Sequence, residues 1–179
     1  MSRAVFLDRD GTINQHTMGY VTSWKKFKFL PNTLPSLARL SRLDYKIIIV
    51  TNQSAVARGL MSMDDLEEIH SRMLAQVEDA GGRIDAVYVC AHHPDDRCIC
   101  RKPLTGLVEL AKETYGLDLE NSWFVGDNTK DVATGRKAGC KTILVETGYG
   151  GKDGLHKIEP DYKAKDLMAV VEIIIENGK

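Results

Sequence analysis

Two carboxylates follow the first apolar segment of the chain and could bind a metal ion. Asp8 and Asp10 stand two residues apart, directly after the apolar run Ala4–Leu7. Carboxylates this close repel each other unless a cation lies between them. Mg²⁺ prefers oxygen ligands and keeps waters that a phosphate can replace. The pair therefore predicts a magnesium site; the alternatives are a polar turn or a calcium loop, whose later acidic ligands and final Glu are missing here.

Hydroxyl, amide, lysine and acidic side chains follow other predicted strands. Thr51 and Asn52 end the second, Lys102 follows the third, and Asp127 ends the fourth, with Asp131 four residues later. Parallel strands end at one edge of a sheet, where open α/β sheets bind their ligands. We therefore expect a phosphate site with a metal beneath it.

Two of these residues have a plainer interpretation. Asp131 would also suit the first turn of a helix, where the dipole favours an acid. Lys102 by itself would be a surface lysine. It precedes Pro103, which suits the first position of a helix, and a helix N-terminus also attracts anions.

Three of the four cysteines lie within eleven residues. The candidate metal ligands in this segment are Cys90, His92, His93, Cys98 and Cys100. Three thiolates and one imidazole fill the tetrahedral shell of a structural Zn²⁺ and leave no position for water. Disulfide bonds between these cysteines are the alternative, and a reducing compartment disfavours them. We predict a zinc-bound loop that fixes the direction of the following Arg101 and Lys102.

Short apolar strands alternate with amphipathic helical stretches along the chain. Strands are predicted at 4–7, 46–51, 84–90, 123–126 and 142–146, and helical spacing of apolar residues occurs at 34–40, 66–77, 107–111 and 167–174. Ser62 is a predicted helix N-cap, and Gly81 with Gly82 a predicted stop. This order predicts an α/β fold: a three-layer sandwich with a parallel sheet and helices on both faces.

The composition favours one globular domain over residues 1–179. With 24 Lys and Arg against 25 Asp and Glu, the net charge is −1, which argues against a nucleic-acid or polybasic membrane surface. The apolar stretches are too short to span a membrane, and no secretory signal precedes Asp8. No long heptad or apolar stripe stands out. We expect a cytoplasmic monomer with neither nucleic-acid nor membrane partner.

Together, the motifs resemble those of the haloacid-dehalogenase-like phosphatases. The resemblance rests on Asp8-Arg9-Asp10-Gly11-Thr12, Thr51-Asn52, Lys102 and Gly126-Asp127 with Asp131, and it spans about the whole chain. Segments 7–14, 19–21, 51–54, 57–59 and 90–103 look most like phosphatases of D-glycero-D-manno-heptose 1,7-bisphosphate. The histidinol phosphatases share the first acidic motif and the zinc loop.

The resemblance implies a Rossmann-like haloacid-dehalogenase fold and Mg²⁺-dependent hydrolysis of the 7-phosphate through an aspartyl-phosphate. It makes Asp8 the nucleophile and Asp10 the general acid and base. Asp10 must hold a proton during part of the cycle, so we expect its surroundings to raise its pKa. Mg²⁺ would be held by Asp8, Asp127 and the backbone carbonyl of Asp10, with Asp131 supporting that shell.

The remaining roles also follow from the resemblance. Thr51, Asn52 and Lys102 would bind the phosphoryl oxygens. His92 rather than His93 would bind zinc, which leaves His93 on the substrate side or at the surface. The spacing between motifs leaves no room for a separate cap domain, so short loops should select the substrate. Candidate substrate-binding residues are Asn14, His16, Tyr20, Gln53, Ser54, Arg58 and Arg101.

Arg58 and Arg101 are candidates for a second phosphate of the substrate, because guanidinium pairs bidentately with phosphate oxygens. The alternative for Arg58 is a solvated loop charge. Ala55 replaces a Gly that heptose phosphatases usually carry, and Asn128 replaces a Lys found in many. The zinc loop is also short for that group and nearer to the histidinol type.

Three other functions remain open from the sequence. Histidinol phosphate or another small sugar phosphate would be hydrolysed by the same machinery. A phospho-aspartate receiver or a zinc-held interaction module would also place acids at a strand end. Neither of these modules explains why Asp10-Gly11-Thr12 occurs together with both metal sets.

Overall fold

A six-stranded parallel sheet forms the centre of the computed structural model, which describes residues 1–17 and 19–178. The strands are β1 (Ala4–Leu7), β2 (Lys46–Asn52), β3 (Ala86–Cys90), β4 (Trp123–Gly126), β5 (Lys141–Val145) and β6 (Tyr162–Ala164). Their order across the sheet is β3-β2-β1-β4-β5-β6. Every strand pair is parallel, as the sequence pattern predicted.

Helices cover both faces of this sheet and complete three layers. They are α1 (Thr33–Leu40), α2 (Met63–Asp79), α3 (Gly106–Tyr115), α4 (Thr129–Ala138) and α5 (Leu167–Asn177). Apolar residues of α1, α2 and α5 pack against one face. Residues of α3 and the Gly135 backbone of α4 pack against the other. The predicted α/β sandwich is confirmed.

The alternation of side chains along β1 explains the two cores. Val5 and Leu7 belong to the core under α1, α2 and α5, whereas Ala4 and Phe6 belong to the core under α3. Successive residues of a strand point to opposite faces, so a strand covered on both sides must be apolar throughout. All four residues of β1 are fully buried.

Helix α2 begins and ends where local sequence chemistry predicts. The Ser62 hydroxyl accepts a hydrogen bond from the Asp65 backbone N–H, and the Asp65 carboxylate accepts one from the Ser62 N–H. This reciprocal capping box satisfies N–H groups that the first turn leaves unpaired. Gly81 follows the helix at a φ of +79°, a conformation that favours glycine.

Several element boundaries differ from expectation. Helix α3 begins at Gly106, so the prediction that Pro103 occupies the first position of a helix is wrong. Strand β3 starts at Ala86, two residues later than predicted, and β5 is displaced by one residue to Lys141–Val145. The short edge strand β6 and the helix α4 carry no apolar periodicity long enough to have predicted them.

Strand β1 lies between β2 and β4, at the point where the strand order reverses. Leu7 is paired with Ile49 on one side and with Val125 on the other. The residues that follow, Asp8 and Asp127, therefore emerge side by side at the carboxyl edge of the sheet. Ligands bind at such a switch point in open α/β sheets.

Loops and helices connect the strands. Within the described part of the chain these connections contain only loops, one 3₁₀ turn and helices α1 to α4, and α5 follows β6, so no separate cap domain covers the carboxyl edge. Among these same residues, none of the helices combines the length and apolar character that a membrane span requires.

Candidate active site

Lys102 lies between two carboxylates at the carboxyl edge of the sheet. Its Nζ is 2.8 Å from Asp8 Oδ1 and 2.7 Å from Asp131 Oδ1. Burial alone would lower the pKa of Lys102, but the negative charges of Asp131 and Asp8 outweigh burial and raise it. Lys102 is only 2% exposed, so it is not a surface lysine.

Asp127 completes a cluster of three buried carboxylates. One oxygen each of Asp8, Asp127 and Asp131 lies within 4.8 Å of the others. Burial, followed by repulsion from Asp8 and Asp131, raises the pKa of Asp127 to about 7. When all three are ionised, the carboxylates and the Lys102 ammonium carry an excess of two negative charges, which a divalent cation with oxygen ligands would balance. The donor set fits Mg²⁺.

Hydrogen bonds hold the Asp127 and Asp131 carboxylates in place. Asn128 Nδ2 donates to Asp127 Oδ1 at 2.7 Å, and the Tyr149 backbone N–H donates to Oδ2 at 2.7 Å. Asp131 Oδ2 accepts from the Asn128 backbone N–H at 3.0 Å and so closes the first turn of α4. Asp131 is thus both a helix-capping acid and a partner of Lys102.

Two glycines leave room for Asp127. A Cβ added to Gly11 would lie 2.3 Å from Asp127 Oδ2, and one added to Gly148 would lie 2.1 Å from it. Their φ angles of +85° and +60° are also in the left-handed region. Backbone from the loops after β1 and β5 therefore approaches the carboxylate from two directions.

The Asp10 carboxylate lies outside the metal-type cluster. Arg9 Nη2 donates to both of its oxygens at 3.0 and 2.9 Å, Asn14 Nδ2 donates to Oδ1 at 2.8 Å, and Gln53 Nε2 donates to Oδ2 at 2.8 Å. Of the expected Mg²⁺ ligands, Asp10 could thus contribute its backbone carbonyl and not this carboxylate.

The expectation of a raised pKa for Asp10 is wrong. Burial does raise the pKa of this carboxyl, but the positive charge of Arg9 and the hydrogen bonds from Asn14, Gln53 and Arg9 outweigh burial. The pKa is lowered below its ordinary value. The expectation followed from the role of Asp10 alone and took no account of the neighbouring Arg9 charge.

The residues at the end of β2 hold one another and the zinc loop. Gln53 Nε2 donates to Thr51 Oγ1 at 2.9 Å. Asn52 Nδ2 donates to the Lys102 carbonyl at 3.2 Å, and the Lys102 N–H donates to Asn52 Oδ1 at 3.1 Å. Asn52 therefore fixes the backbone that carries Lys102.

A cavity of about 390 Å³ opens above these groups. The predicted site residues that line it are Asp8, Asp10, His16, Tyr20, Thr51, Asn52, Gln53, Ser54 and Arg101. Arg58 is exposed and does not line this cavity. Asn14 is fully buried and bonds Asp10 instead, and His93 lies outside the lining beside Asp95.

Tyr149 and Lys130 also line the cavity, although neither was among the residues expected from the sequence. The Tyr149 ring meets that of His16 edge-on, with ring centroids 4.4 Å apart. Tyr149 stands in a glycine-rich loop directly after β5, a position that could have drawn attention to it. Lys130 follows the capping residue of α4 by two positions, but nothing in the sequence distinguishes it from a solvated helix charge.

The Cys and His side chains of the zinc loop also come together. Cys90, His92, Cys98 and Cys100 have ligand atoms within 4.8 Å of one another. Cys90 Sγ is 3.8 Å from Cys98 Sγ, close to the edge of a tetrahedron built with Zn–S bonds of about 2.3 Å. Burial and the neighbouring thiols raise the pKa of Cys100 to about 12. A cation would stabilise the thiolates, so the set fits Zn²⁺.

Comparisons with known proteins agree with this geometry. A family model described as HAD-hydrolase-like matches residues 99–170. The D-glycero-beta-D-manno-heptose-1,7-bisphosphate 7-phosphatase of Bordetella bronchiseptica is 38% identical over 98% of this chain and 99% of its own length. The protein of the same name from Pseudomonas aeruginosa is 39% identical over 98% of this chain and 100% of its own.

A solved structure has the same fold at high coverage. The D,D-heptose 1,7-bisphosphate phosphatase of B. bronchiseptica, crystallised with magnesium and phosphate, superposes with a TM-score of 0.90. It shares 37% sequence identity over 97% of this chain and 98% of that one.

Proposed function

The chain belongs to the haloacid-dehalogenase-like family of phosphatases, and from this membership we propose that it removes the 7-phosphate of D-glycero-D-manno-heptose 1,7-bisphosphate. The observation that carries the proposal is the buried cluster of Asp8, Asp127 and Asp131 around Lys102. This cluster brings a carboxylate nucleophile, a divalent-cation site and a fixed ammonium together at the carboxyl edge of the sheet. The similar proteins named above supply the identity of the sugar.

In this proposal Asp8 is the nucleophile. Its described partners, the Arg9 N–H at 2.7 Å and Lys102 Nζ, both contact Oδ1. A carboxylate oxygen forms a bond to phosphorus while the bond from phosphorus to the sugar oxygen breaks. Because its pKa is lowered, Asp10 must first take up a proton from solvent, which it then gives to the leaving oxygen. As a carboxylate again, it takes a proton from the water that hydrolyses the aspartyl-phosphate.

The groups around the transferring phosphoryl bind its charge. Lys102, Thr51 and Asn52 stand at the carboxyl edge beside Asp8, where they would bind phosphoryl oxygens. Asp8, Asp127 and the Asp10 carbonyl would hold Mg²⁺. When bound, the ion would neutralise charge on the same phosphoryl oxygens. Asp131 would support that shell through Lys102 and the capped first turn of α4.

Arg101 is the proposed contact for the second phosphate. It lines the cavity, and its buried Nη1 has no hydrogen-bond partner among residues 1–17 and 19–178. A guanidinium with an unused donor is suited to a phosphate oxygen. His16, Tyr20, Gln53 and Ser54 line the same cavity and would contact the sugar. Arg58 is exposed and lies outside the cavity lining, so it is not a proposed contact for the second phosphate.

A direct assay tests the proposed reaction. Phosphate release is measured from both anomers of heptose 1,7-bisphosphate and from histidinol phosphate, with and without Mg²⁺. We expect Mg²⁺-dependent release of one phosphate per heptose bisphosphate and a higher kcat/KM than for histidinol phosphate. Asp8→Asn should abolish release while leaving the far-UV circular dichroism unchanged. A higher kcat/KM for histidinol phosphate would reject the sugar, and an active Asp8→Asn would reject the covalent mechanism.

Zinc is proposed as a structural ion bound by Cys90, His92, Cys98 and Cys100. Because Lys102 follows this loop directly, ordering the loop should fix Lys102 before the substrate binds. A zinc-selective chelator in excess Mg²⁺ should remove one zinc per chain, raise KM and leave most of kcat. Turnover that is lost entirely and returns only with zinc would make the ion catalytic instead.

The wider predictions belong to the same proposal. Residues 1–179 are proposed to form one domain, which is supported by a single sheet with strands drawn from residue 4 to residue 164. The monomeric state, the cytoplasmic location and the absence of nucleic-acid and membrane partners stay predictions.

A further inference from the structure

We propose that Arg9 is a positioning residue that is anchored by His70 of α2 and holds the Asp10 carboxylate in the direction from which it exchanges protons with the substrate. The inference rests on the proposed function, in which Asp10 is the acid and base of a phosphatase. It assigns roles to a buried arginine and a buried histidine that the reaction does not otherwise use.

Arg9 spans the space between α2 and the active-site loop. Its side chain is fully buried. Nη1 is 3.0 Å from His70 Nε2, and Nη2 donates to both Asp10 oxygens and to Gln53 Oε1 at 3.1 Å. Arg9 does not line the cavity among the described residues, so it would act through Asp10 and not on the substrate.

The His70 ring must accept the hydrogen bond from Arg9. Guanidinium has only donors, so Nε2 carries the lone pair and the ring proton lies on Nδ1. His70 occupies the buried stripe of α2 together with Leu66, Ile69 and Met73. An apolar side chain would bury more favourably at this position, which points to a role for the imidazole as an acceptor.

The network fixes the Asp10 carboxylate from separate elements. Gln53 comes from the end of β2, and His70 belongs to α2. A planar guanidinium with a rigid fork of donors can hold both anchors and the carboxylate at once, whereas a lysine cannot. Without the His70 acceptor, Nη1 of Arg9 would lose its hydrogen bond and the guanidinium could rotate. Misplacing a reacting group by about 1 Å can cost about 100-fold in rate.

Rates on two phosphate esters distinguish a positioning role of Arg9 and His70 from a purely structural one. An alkyl sugar phosphate needs a proton on its leaving oxygen, whereas p-nitrophenyl phosphate releases a phenolate that leaves without one. The ratio kcat/KM reports steps through the first phosphoryl transfer. In His70→Leu we expect kcat/KM for the sugar phosphate to fall about 100-fold and that for p-nitrophenyl phosphate to fall less than about 3-fold. His70→Gln, which restores an acceptor, should recover most of the loss.

Matched variants complete the test. Arg9→Lys keeps the charge but loses the fork, so it should show the same selective loss if it folds. Met73→Ala removes core volume from the same face of α2 without touching the network, and it should change both esters equally. Equal losses on both esters in His70→Leu, or no recovery in His70→Gln, would overturn the positioning role.

The outcomes also separate this inference from the proposed function. If the wild type hydrolyses another alkyl phosphate but not heptose bisphosphate, the proposed sugar fails, and the comparison of esters is made with that alkyl phosphate. A wild type that releases phosphate from neither class of ester would overturn the proposed function and this inference together.

Discussion

Lys102 is the residue on which the charge balance of the site depends. It is buried between Asp8 and Asp131, with Asp127 beside them. A buried ion pair costs desolvation on both sides, and removal of one partner leaves an uncompensated charge. Removing Lys102 without supplying another cation should therefore destabilise the folded protein.

Lys102→Met tests this balance, because Met has a similar length and no charge. Without Mg²⁺ we expect unfolding free energy to fall by about 3–5 kcal/mol, since Asp8 and Asp131 lose their buried partner. Mg²⁺ should raise Tm more in the variant than in the wild type. The measurement is thermal unfolding with and without Mg²⁺, and kcat/KM should fall about 10²–10³-fold.

The exposed Lys112→Met is a suitable control for this variant, because Lys112 lies on α3 away from the cluster. It should change neither Tm nor its response to Mg²⁺. A Lys102→Met protein that is as stable as wild type in Mg²⁺-free buffer would contradict the charge balance described here.

The types of the site residues were readable from the sequence, but their pairings were not. Asp8, Lys102 and Asp127 follow strand ends, and parallel strands bring such residues to one edge. The direction of each side chain depends on packing that no local pattern encodes. Arg9 shows this most clearly: a charged residue between two acids reads as solvated, yet the structure buries it completely.

The loop after β5 is the element that fixes Asp127. The Tyr149 N–H donates to its carboxylate, and the Gly151 N–H donates to its backbone carbonyl at 2.8 Å. Thr147 Oγ1 donates to the Gly11 carbonyl at 2.6 Å and so ties this loop to the one after β1. The loop is therefore part of the metal-type site, although it supplies no carboxylate to it.

Gly148→Ala and Gly154→Ala form a matched pair within this loop. Both glycines have positive φ angles, +60° and +67°, so the backbone conformation alone should cost each alanine about 1–2 kcal/mol of stability. Only at Gly148 would the new Cβ meet Asp127; at Gly154 nothing lies within 4 Å. We expect Gly148→Ala alone to weaken Mg²⁺ binding, measured by calorimetry. Equal Mg²⁺ affinity in the two variants would contradict a steric role for Gly148.

Elements with strong apolar patterns were predictable, and the others were not. The five predicted strands occur with small shifts, as do α1, α2, α3 and α5. Helix α4 escaped prediction because its ten residues include few large apolar side chains. It packs instead through Gly135, whose backbone lies against Phe124 and Thr142. Strand β6 has three residues at the sheet edge, too few for a periodic signal.

At the scale of the whole molecule, buried His70 links folding to pH. Burial and the positive charge of Arg9 lower the pKa of His70 from 6.5 to about 4, although Asp10 acts in the opposite direction. The unfolded chain therefore binds a proton at a higher pH than the folded one. The contribution of neutral His70 is complete above about pH 6.5 and is lost as the pH falls towards 4.

Urea unfolding between pH 7 and 4.5 measures this contribution. Comparison with His70→Gln removes the contribution that the shared carboxylates make to the pH dependence of stability. Over this range we expect the wild type to lose up to about 3 kcal/mol more than the variant. Parallel stability curves for the two proteins would show that His70 titrates alike in the folded and unfolded chains.

The pairing of β1 with β4 joins segments that are far apart in the chain. During synthesis on a ribosome, Asp8 and Asp10 emerge long before Asp127 and Asp131. Until β4 has left the exit tunnel and paired with β1, Asp8 and Asp10 cannot form a metal site with Asp127 and Asp131. A nascent chain should therefore bind divalent ions only after β4 has been synthesised and has paired with β1. Binding of magnesium would then indicate that this pairing has formed.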